Sequence, residues 1–500
     1  MKKLKYFAGG QWLESSTSKY MDVYDPSTGQ IDAQTPCCTI EEIDGAIAAA
    51  KAAFPAWSAT PVMKRVQILY KLRDLLIEHL DELTYLVARE NGKSWGDARG
   101  DVLKAKEATE VACSAPSLMM GETVMNASSN IDTISFREPL GVFAGIVPFN
   151  FPAMIPMGWM TPICIACGNT IVLKAASMTP QSCMRIAQLY QEAGLPDGVI
   201  NIVTCSRHEV DHILEHPDVK GICFVGTTGT GLKIYSKAAA YGKRVQAQCE
   251  AKNHALVLED ASIEHTASGI INGAFGCAGE RCMALPVVVA QESIADRLVA
   301  ELVRLARELK VGPAYEQSTD LGPVVSAAHR EKVIRWIETG LAEGATLALD
   351  GRGVVVPGYE NGFYLGPTIL DHVKPGMSVG DCEIFGPVLC IKRVKDFEEG
   401  LALMNSNPFG NGSVIYTSSG YYAREFACRT GAGMVGVNVG IPVPIAVFPF
   451  NGHKLSFIGD KHCLGKDGIQ FFTESKTVTT RWFPAEKHTA GKTDSWDGTI

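Results

Sequence analysis

Apolar positions in the first ninety residues recur at helical spacing. Thr39-Ile40-Glu41-Glu42 places a hydroxyl and a carboxylate three residues apart, the pattern of a capping box, and Ile40, Ile43 and Ile47 then mark one face of a helix. Leu69, Leu72, Leu76, Leu80 and Leu83 share one side of a second helical stretch over residues 63–89. A short hairpin is expected at residues 7–12 and a turn at Asp25-Pro26. From Gly141 the period shortens. Residues 141–147, 170–173, 199–204 and 221–225 are short apolar runs rich in β-branched residues and read as strands. Thr179-Pro180 predicts a helix start with Thr as N-cap and Pro at the first helical position, and a further helix is expected around residues 210–214. A second unit repeats the alternation, with strands at 255–258 and 286–290 and a long helix over 294–309. Strands alternating with helices predict an α/β fold with a parallel sheet covered on both faces, which places ligands beyond the carboxyl ends of the strands.

Two stretches carry chemistry. Phe224-Val225-Gly226-Thr227-Thr228-Gly229-Thr230-Gly231 follows a strand and precedes a helix, the context of a phosphate-binding glycine turn, although its glycines are not ordered as in the Rossmann fingerprint. Residues 274–285 are small and glycine-punctuated around Cys277 and Cys282, so the backbone can bend sharply around an accessible thiol.

Composition narrows the classes. The 500 residues are 46% apolar and 20% charged with a net charge of −8, an ordinary globular chain of two or three domains and a poor general binder of nucleic acid. Fifteen cysteines without regular spacing read as reduced thiols in a cytoplasmic protein. No metal site is expected. Residues 139–173 lack any charge, but Pro148, Pro152, Pro156 and Pro162 with Asn150 and Asn169 argue for a buried strand, turn and core helix rather than a membrane span. No signal-like apolar run follows the basic start, and the polar residues from Lys487 onward are expected to fray.

The cysteine loop resembles the active-site loop of the aldehyde dehydrogenase superfamily. Phe275, Gly276, Ala278, Gly279, Glu280, Arg281, Cys282 and Ala284 all match its pattern. Matches continue in order through Leu321-Gly322-Pro323-Val324, Gly366-Pro367-Thr368 and Glu383-Ile384-Phe385-Gly386-Pro387. Within the superfamily the chain is most similar to the methylmalonate-semialdehyde (malonate-semialdehyde) dehydrogenases, as in Pro148-Phe149-Asn150-Phe151-Pro152, Ala251-Lys252-Asn253-His254 and Gly279-Glu280-Arg281-Cys282-Met283-Ala284. The resemblance implies a Rossmann-like dinucleotide domain (1–125 and 141–252), an α/β catalytic domain (253–455) and a small β oligomerisation arm (126–140 and 470–490) that builds dimers or tetramers. Within the arm, residues 126–137 alternate as an exposed edge strand would, to be joined by a strand at 476–482.

The resemblance also implies roles. Cys282 would be the nucleophile, with Asn150 and the Cys282 N–H stabilising the oxyanion. NAD or NADP would be held by Ile146, Pro148, Phe149, Lys174, Gly226, Thr227, Gly231, Glu383 and Phe385. Ser177 stands where many NAD-using relatives carry a glutamate that repels a 2′-phosphate, so NADP is admitted, with Arg207 as its partner. Where hydrolytic relatives carry a general-base glutamate this chain has Gln248, which cannot take a proton from water. Coenzyme A is therefore the expected acyl acceptor. Glu250, where relatives usually have glycine, leaves hydrolysis open as the alternative. Arg281, Lys104, Phe151 and His453 are the expected contacts of a small anionic aldehyde, its tail a carboxylate or a sulfonate. The other reading left open is a nucleotide-binding relative without catalysis. Binding of nucleic acid or membrane is not expected.

Overall fold

The computed structural model describes residues 1–483, so the expectation for residues beyond Lys487, and part of the 470–490 arm, lie outside the described residues. Five parallel strands form the centre of an eight-stranded sheet, in the order Arg244–Gln248, Val219–Val225, Val142–Ile146, Thr170–Lys174 and Ile200–Val203. The hairpin Tyr6–Ala8 and Gln11–Leu13 closes one edge, its Gly9-Gly10 turn using left-handed φ values of 58° and 79°. Phe457–Gly459 returns antiparallel to the other edge, against Arg244–Gln248.

Helices Ile40–Ala59 and Thr228–Ala240 cover one face, where Ile43, Ile47, Val172, Ile222 and Ile234 are buried together. The other face packs on Val62–Glu78, Trp95–Ala112 and Gln181–Glu192 through Leu69, Leu72, Val102, Phe143, Leu173 and Ile186. The Thr39–Glu42 capping box is present at the start of the first helix, and Ser206 with Glu209 forms another ahead of Arg207–Glu215.

A second, seven-stranded sheet has His254–Val257, Val287–Gln291, Val388–Val394, Gly412–Tyr416 and Met434–Val437 among its parallel strands. A three-stranded arm joins Thr123–Ser128, Ile131–Pro139 and Thr473–Arg481. Residues 139–173 form a buried strand, a turn, a π-helical turn at Ile155–Met160 and the helix Thr161–Ala166, as expected. Among the described residues no helix is long and apolar enough to cross a membrane.

Three local expectations are corrected. The helix expected over 63–89 is two helices, Val62–Glu78 and Leu80–Asn91, broken at His79, whose Nδ1 meets Glu82 Oε2 at 2.8 Å. The apolar period runs through the break and hides it. Thr179 does not cap its helix. Its hydroxyl donates to Phe149 O at 3.1 Å, and the helix Gln181–Glu192 is capped by the distant Glu90 carboxylate, which accepts from Gln181 N at 2.7 Å and Ser182 N at 2.9 Å. Ile131–Pro139 is the middle strand of the arm rather than an edge, since it pairs on both sides.

Candidate active site

The two large sheets meet end to end. Strand register aligns Ile146 with Lys174 and with Phe224, and Val225 with Gln248, so the carboxyl ends of the first sheet form one rim. The loops leading into Val287–Gln291, Val388–Val394 and Gly412–Tyr416 come from the amino ends of the second sheet. Cys282, Glu383 and Asn411 lie on those loops.

The cysteine loop leaves the helix Ile263–Phe275 through a tight turn in which Cys277, Ala278 and Gly279 all take left-handed φ values of 51°, 52° and 73°. At Gly279 a Cβ would collide with Gly386 O, so glycine permits the loop to touch the Glu383–Pro387 turn. Left-handed alanine and cysteine are strained, and such strain persists where surrounding contacts impose it. Here the Cys277 N–H donates to Asp97 Oδ2 at 2.6 Å. Beyond the turn, Cys282 O accepts from Asn253 Nδ2 at 2.9 Å and from Asn411 Nδ2 at 3.1 Å, which fixes the backbone beneath the thiol. Burial pushes the Cys282 thiol up to about 12, with the Glu383 carboxylate adding to the effect and backbone N–H groups of Cys282 and Met283 opposing it.

Asn150 is buried, and its Nδ2 donates to Glu280 O at 3.1 Å, tying its loop to the cysteine loop. That loop rests on a polar platform absent from the sequence expectations. The buried Lys93 Nζ donates to Asn150 O at 2.5 Å, lies 3.3 Å from Asp101 Oδ2 and sits 3.6 Å over the Phe151 ring. Asp101 Oδ1 accepts from Met154 N at 2.7 Å, and Asn91 Nδ2 donates to Phe149 O at 3.0 Å. A lysine four residues after an arginine in a helical run carries no local mark of burial; the proximity of residues 90–93 to the Pro148–Pro152 loop arises only in three dimensions. Phe151 thus lies between the platform and the site.

Of the residues expected to hold a dinucleotide, Ile146, Pro148, Phe149, Lys174, Gly226, Thr227 and Gly231 lie along the first sheet's rim, and Glu383 and Phe385 come from a loop of the second sheet. Ile146, Lys174 and Arg207 line a cavity of about 1010 Å³ with Val210, Leu214 and Thr230. Burial lowers the Lys174 ammonium from its ordinary value. Ser177 is half-buried on the loop after Lys174. Gly226 and Gly231 sit where a Cβ would meet the Phe224 ring and Cys249 Sγ, so the turn and helix lie hard against the strand. The Thr227 hydroxyl donates to Thr230 Oγ1 at 2.9 Å. Pro148 and Phe149 follow the Ile146 strand, and Phe149 packs edge-on to Phe385 with centroids 6.0 Å apart. Glu383 Oε1 accepts from Ala251 N at 2.9 Å, and burial first, then Glu250, raises its carboxyl to about 7. The cavity, with Lys174, Arg207, Lys233 and Lys237 on its wall beside the helix Thr228–Ala240, offers the positive charge that an anionic dinucleotide calls for.

Other expected residues are engaged elsewhere. Gln248 is buried, its Nε2 is 3.7 Å from Cys463 Sγ, and its Oε1 has no protein partner among the described residues. Glu250 is turned to the helix N-terminus, where its Oε2 accepts from Thr228 N at 2.8 Å, so the structure does not present it as a replacement base. Arg281 pairs with Asp97 and donates to Cys277 Sγ at 3.1 Å and Asn272 O at 3.2 Å. Burial opposes ionisation of Asp97, yet Arg281 and the Cys277 N–H hold its carboxyl below the ordinary value. Arg281 is therefore a brace of the cysteine loop in this conformation, not a free substrate cation. Lys104 Nζ lies 2.7 Å from Glu107 Oε2, and Glu107 Oε1 in turn accepts from Ala446 N at 2.8 Å. His453 is exposed on a two-residue strand paired with Phe409–Gly410, which places its backbone on that pairing and not among the contacts of Cys282.

Cys282 lies half-buried on a loop whose backbone Asn253 and Asn411 hold, and the chain belongs to the aldehyde dehydrogenase family of oxidoreductases, whose model matches residues 12–478. Among its relatives, malonate-semialdehyde dehydrogenase 1 of Geobacillus thermodenitrificans is 49% identical over 480 residues, 96% of this chain and 99% of that protein. The crystal structure of methylmalonate-semialdehyde dehydrogenase from Oceanimonas doudoroffii is 43% identical and superposes with a TM-score of 0.95 over 97% of this chain and 99% of the other. A Sinorhizobium meliloti 1021 protein assigned as a methylmalonate-semialdehyde dehydrogenase and solved with NAD is 40% identical, also with a TM-score of 0.95, over 97% and 99% of the two chains.

Proposed function

We propose that this protein oxidises a short anionic semialdehyde with NAD or NADP through a thioester on Cys282 and passes the acyl group to coenzyme A. The similarity to malonate- and methylmalonate-semialdehyde dehydrogenases supports the substrate class. Cys282 Sγ, as thiolate, attacks the aldehyde carbon, and the negative charge moves to the carbonyl oxygen. The remaining N–H of the Asn150 amide and the Cys282 backbone N–H are the donors for that oxygen, and Lys93 behind Asn150 keeps the amide in place. Ile146, Lys174, Gly226, Thr227, Gly231, Glu383 and Phe385 would hold the dinucleotide. When bound, the dinucleotide supplies the acceptor for the hydride that leaves the substrate carbon. Ser177 carries no charge to repel a 2′-phosphate, and Arg207 on the cavity wall can attract one, so both dinucleotides are admitted.

The observation that carries the acyl-transfer half is Gln248. Its buried amide ends the strand Arg244–Gln248 with an unpartnered Oε1 but cannot accept a proton from water at neutral pH. Glu250, the other carboxylate in the segment, is held by Thr228. The thioester is thereby protected from hydrolysis until coenzyme A arrives as its thiolate, whose attack on the acyl carbon expels the Cys282 thiolate and yields the acyl-CoA. Substrate charge is met by Lys104 once it leaves Glu107. The arm's outer strands, exposed throughout Thr123–Ser128 and from Glu474 to Thr479 in Thr473–Arg481, support self-association into dimers or tetramers.

The test is an assay of purified protein on a panel of short carboxylated and sulfonated aldehydes, with NAD or NADP and with or without coenzyme A. Reduced dinucleotide should form with a carboxylated semialdehyde and multiply turn over only with coenzyme A. Free acid at full rate without coenzyme A would contradict the reading.

A further inference from the structure

The helix Thr228–Ala240 starts without help from its own cap residue, because the Thr227 hydroxyl is bonded to Thr230. Its first amide, Thr228 N, donates instead to Glu250 Oε2 at 2.8 Å, and Glu250 N donates back to Thr228 Oγ1 at 3.3 Å. Both partners are fastened to one segment: Ser456 Oγ donates to Glu250 O at 2.6 Å and Thr228 Oγ1 to Leu455 O at 3.2 Å. The carboxylate therefore lies where free amides and the helix dipole attract anions. On the other side of the same peptide, Ala251 N is taken by Glu383.

We propose that Glu250 is a built-in competitor for the dinucleotide's pyrophosphate, filling the N-terminal amide of the cofactor helix in the free protein and yielding it when the dinucleotide binds. The inference rests on the dinucleotide reading above. Two carboxylates, Glu250 and Glu383, flank the peptide 250–251, and each phosphate brings further negative charge to the same place. Binding exchanges one anion for another at Thr228 N, so affinity is lower and release faster than the cleft alone would give. Glu250 also contributes to the raised Glu383 carboxyl, after burial. Removing it should ease ionisation of Glu383, the expected ribose contact.

The experiment is fluorescence titration of wild type, Glu250→Gln and Glu250→Gly with NADH and NADPH between pH 6 and 9, with no aldehyde present and folding checked by circular dichroism. Both variants should bind about threefold to tenfold more tightly, the range of a charge effect at a helix N-terminus. The pH at which affinity falls away on the acid side should also move down. Glu250→Gln keeps the side chain's size and an acceptor for Thr228 N, and it decides the matter should Glu250→Gly not fold. Unchanged or weaker binding by folded Glu250→Gln, with wild type binding normally, overturns this inference alone. No binding by any of the three proteins overturns it together with the dinucleotide reading.

Discussion

Lys93 holds its ammonium group between Asn150 O, the Asp101 carboxylate and the face of Phe151, and Lys93, Asp101 and Asn150 are buried. Truncating it would leave Asp101 buried without its cation and Asn150 O without a donor, so the Asn150 amide would lose its fixed orientation. Lys93→Met is expected to lower kcat by about 10²-fold, the scale of losing one oxyanion donor, while NADH affinity stays near wild type. Steady-state kinetics beside an NADH titration separate these outcomes; equal losses in both would mean a general loss of structure. The Cys282 thiol, pushed up to about 12 chiefly by burial, is protonated at neutral pH in the free protein. Its thiolate fraction then grows about tenfold per pH unit, so alkylation by iodoacetamide should accelerate log-linearly from pH 7 with no plateau below about pH 10. A plateau near pH 8 would show that a group other than those around Cys282 here activates the thiol. Sequence alone singled out Cys282 and Asn150 because their motifs are contiguous. Lys93 and Asn411 were invisible because the groups they hold, the backbone carbonyls of Asn150 and Cys282 above all, lie far away in sequence and leave no local signature.

Glu90 carries a comparable lesson for elements. Local pattern assigned the cap of Gln181–Glu192 to Thr179, yet the structure supplies it from another helix, at 1% exposure, through Glu90. Thr179 is freed to bond Phe149 O, so one exchange of partners joins the helix start to the loop that carries Asn150. Glu90→Ala should cost about 1–2 kcal/mol in denaturant unfolding, the usual cost of a lost cap. Burial raises the Glu90 carboxyl to about 7 despite its hydrogen bonds. A folded-state value above the unfolded one means the folded protein holds the proton more tightly, so the associated stability is complete below about pH 4.5 and is lost as pH rises through 7. Relative to Glu90→Gln, which does not titrate, wild type should lose stability between pH 5 and 8; a constant difference would refute the assignment. The capping box at Thr39 and the strands of the first sheet were legible since they depend on near neighbours. The break at His79 was not, because the leucine spacing continues across it.

At the scale of the whole molecule, two sheets facing each other end to end bring loops more than a hundred residues apart in sequence onto one thiol. The parallel strands were readable as short apolar runs, but their end-to-end meeting was not, nor was the return of Phe457–Gly459 to the edge of the first sheet beside Gln248. The arm was legible as alternating residues, though its middle strand was mistaken for an edge. If the proposed self-association runs through its outer strand Thr473–Arg481, Val478→Pro should reduce the assembled mass in light scattering while NADH binding persists. An unchanged mass would place self-association on another surface.

The central claim is that Cys282 carries an acyl group that water does not readily remove. Intact-protein and peptide mass spectrometry after mixing the enzyme with malonate semialdehyde and NAD, without coenzyme A, tests it directly. The account predicts an acyl adduct on the peptide containing Cys282, discharged within one turnover when coenzyme A is added and absent in Cys282→Ala. Steady production of free acid with no adduct, or an adduct on another cysteine, would contradict it.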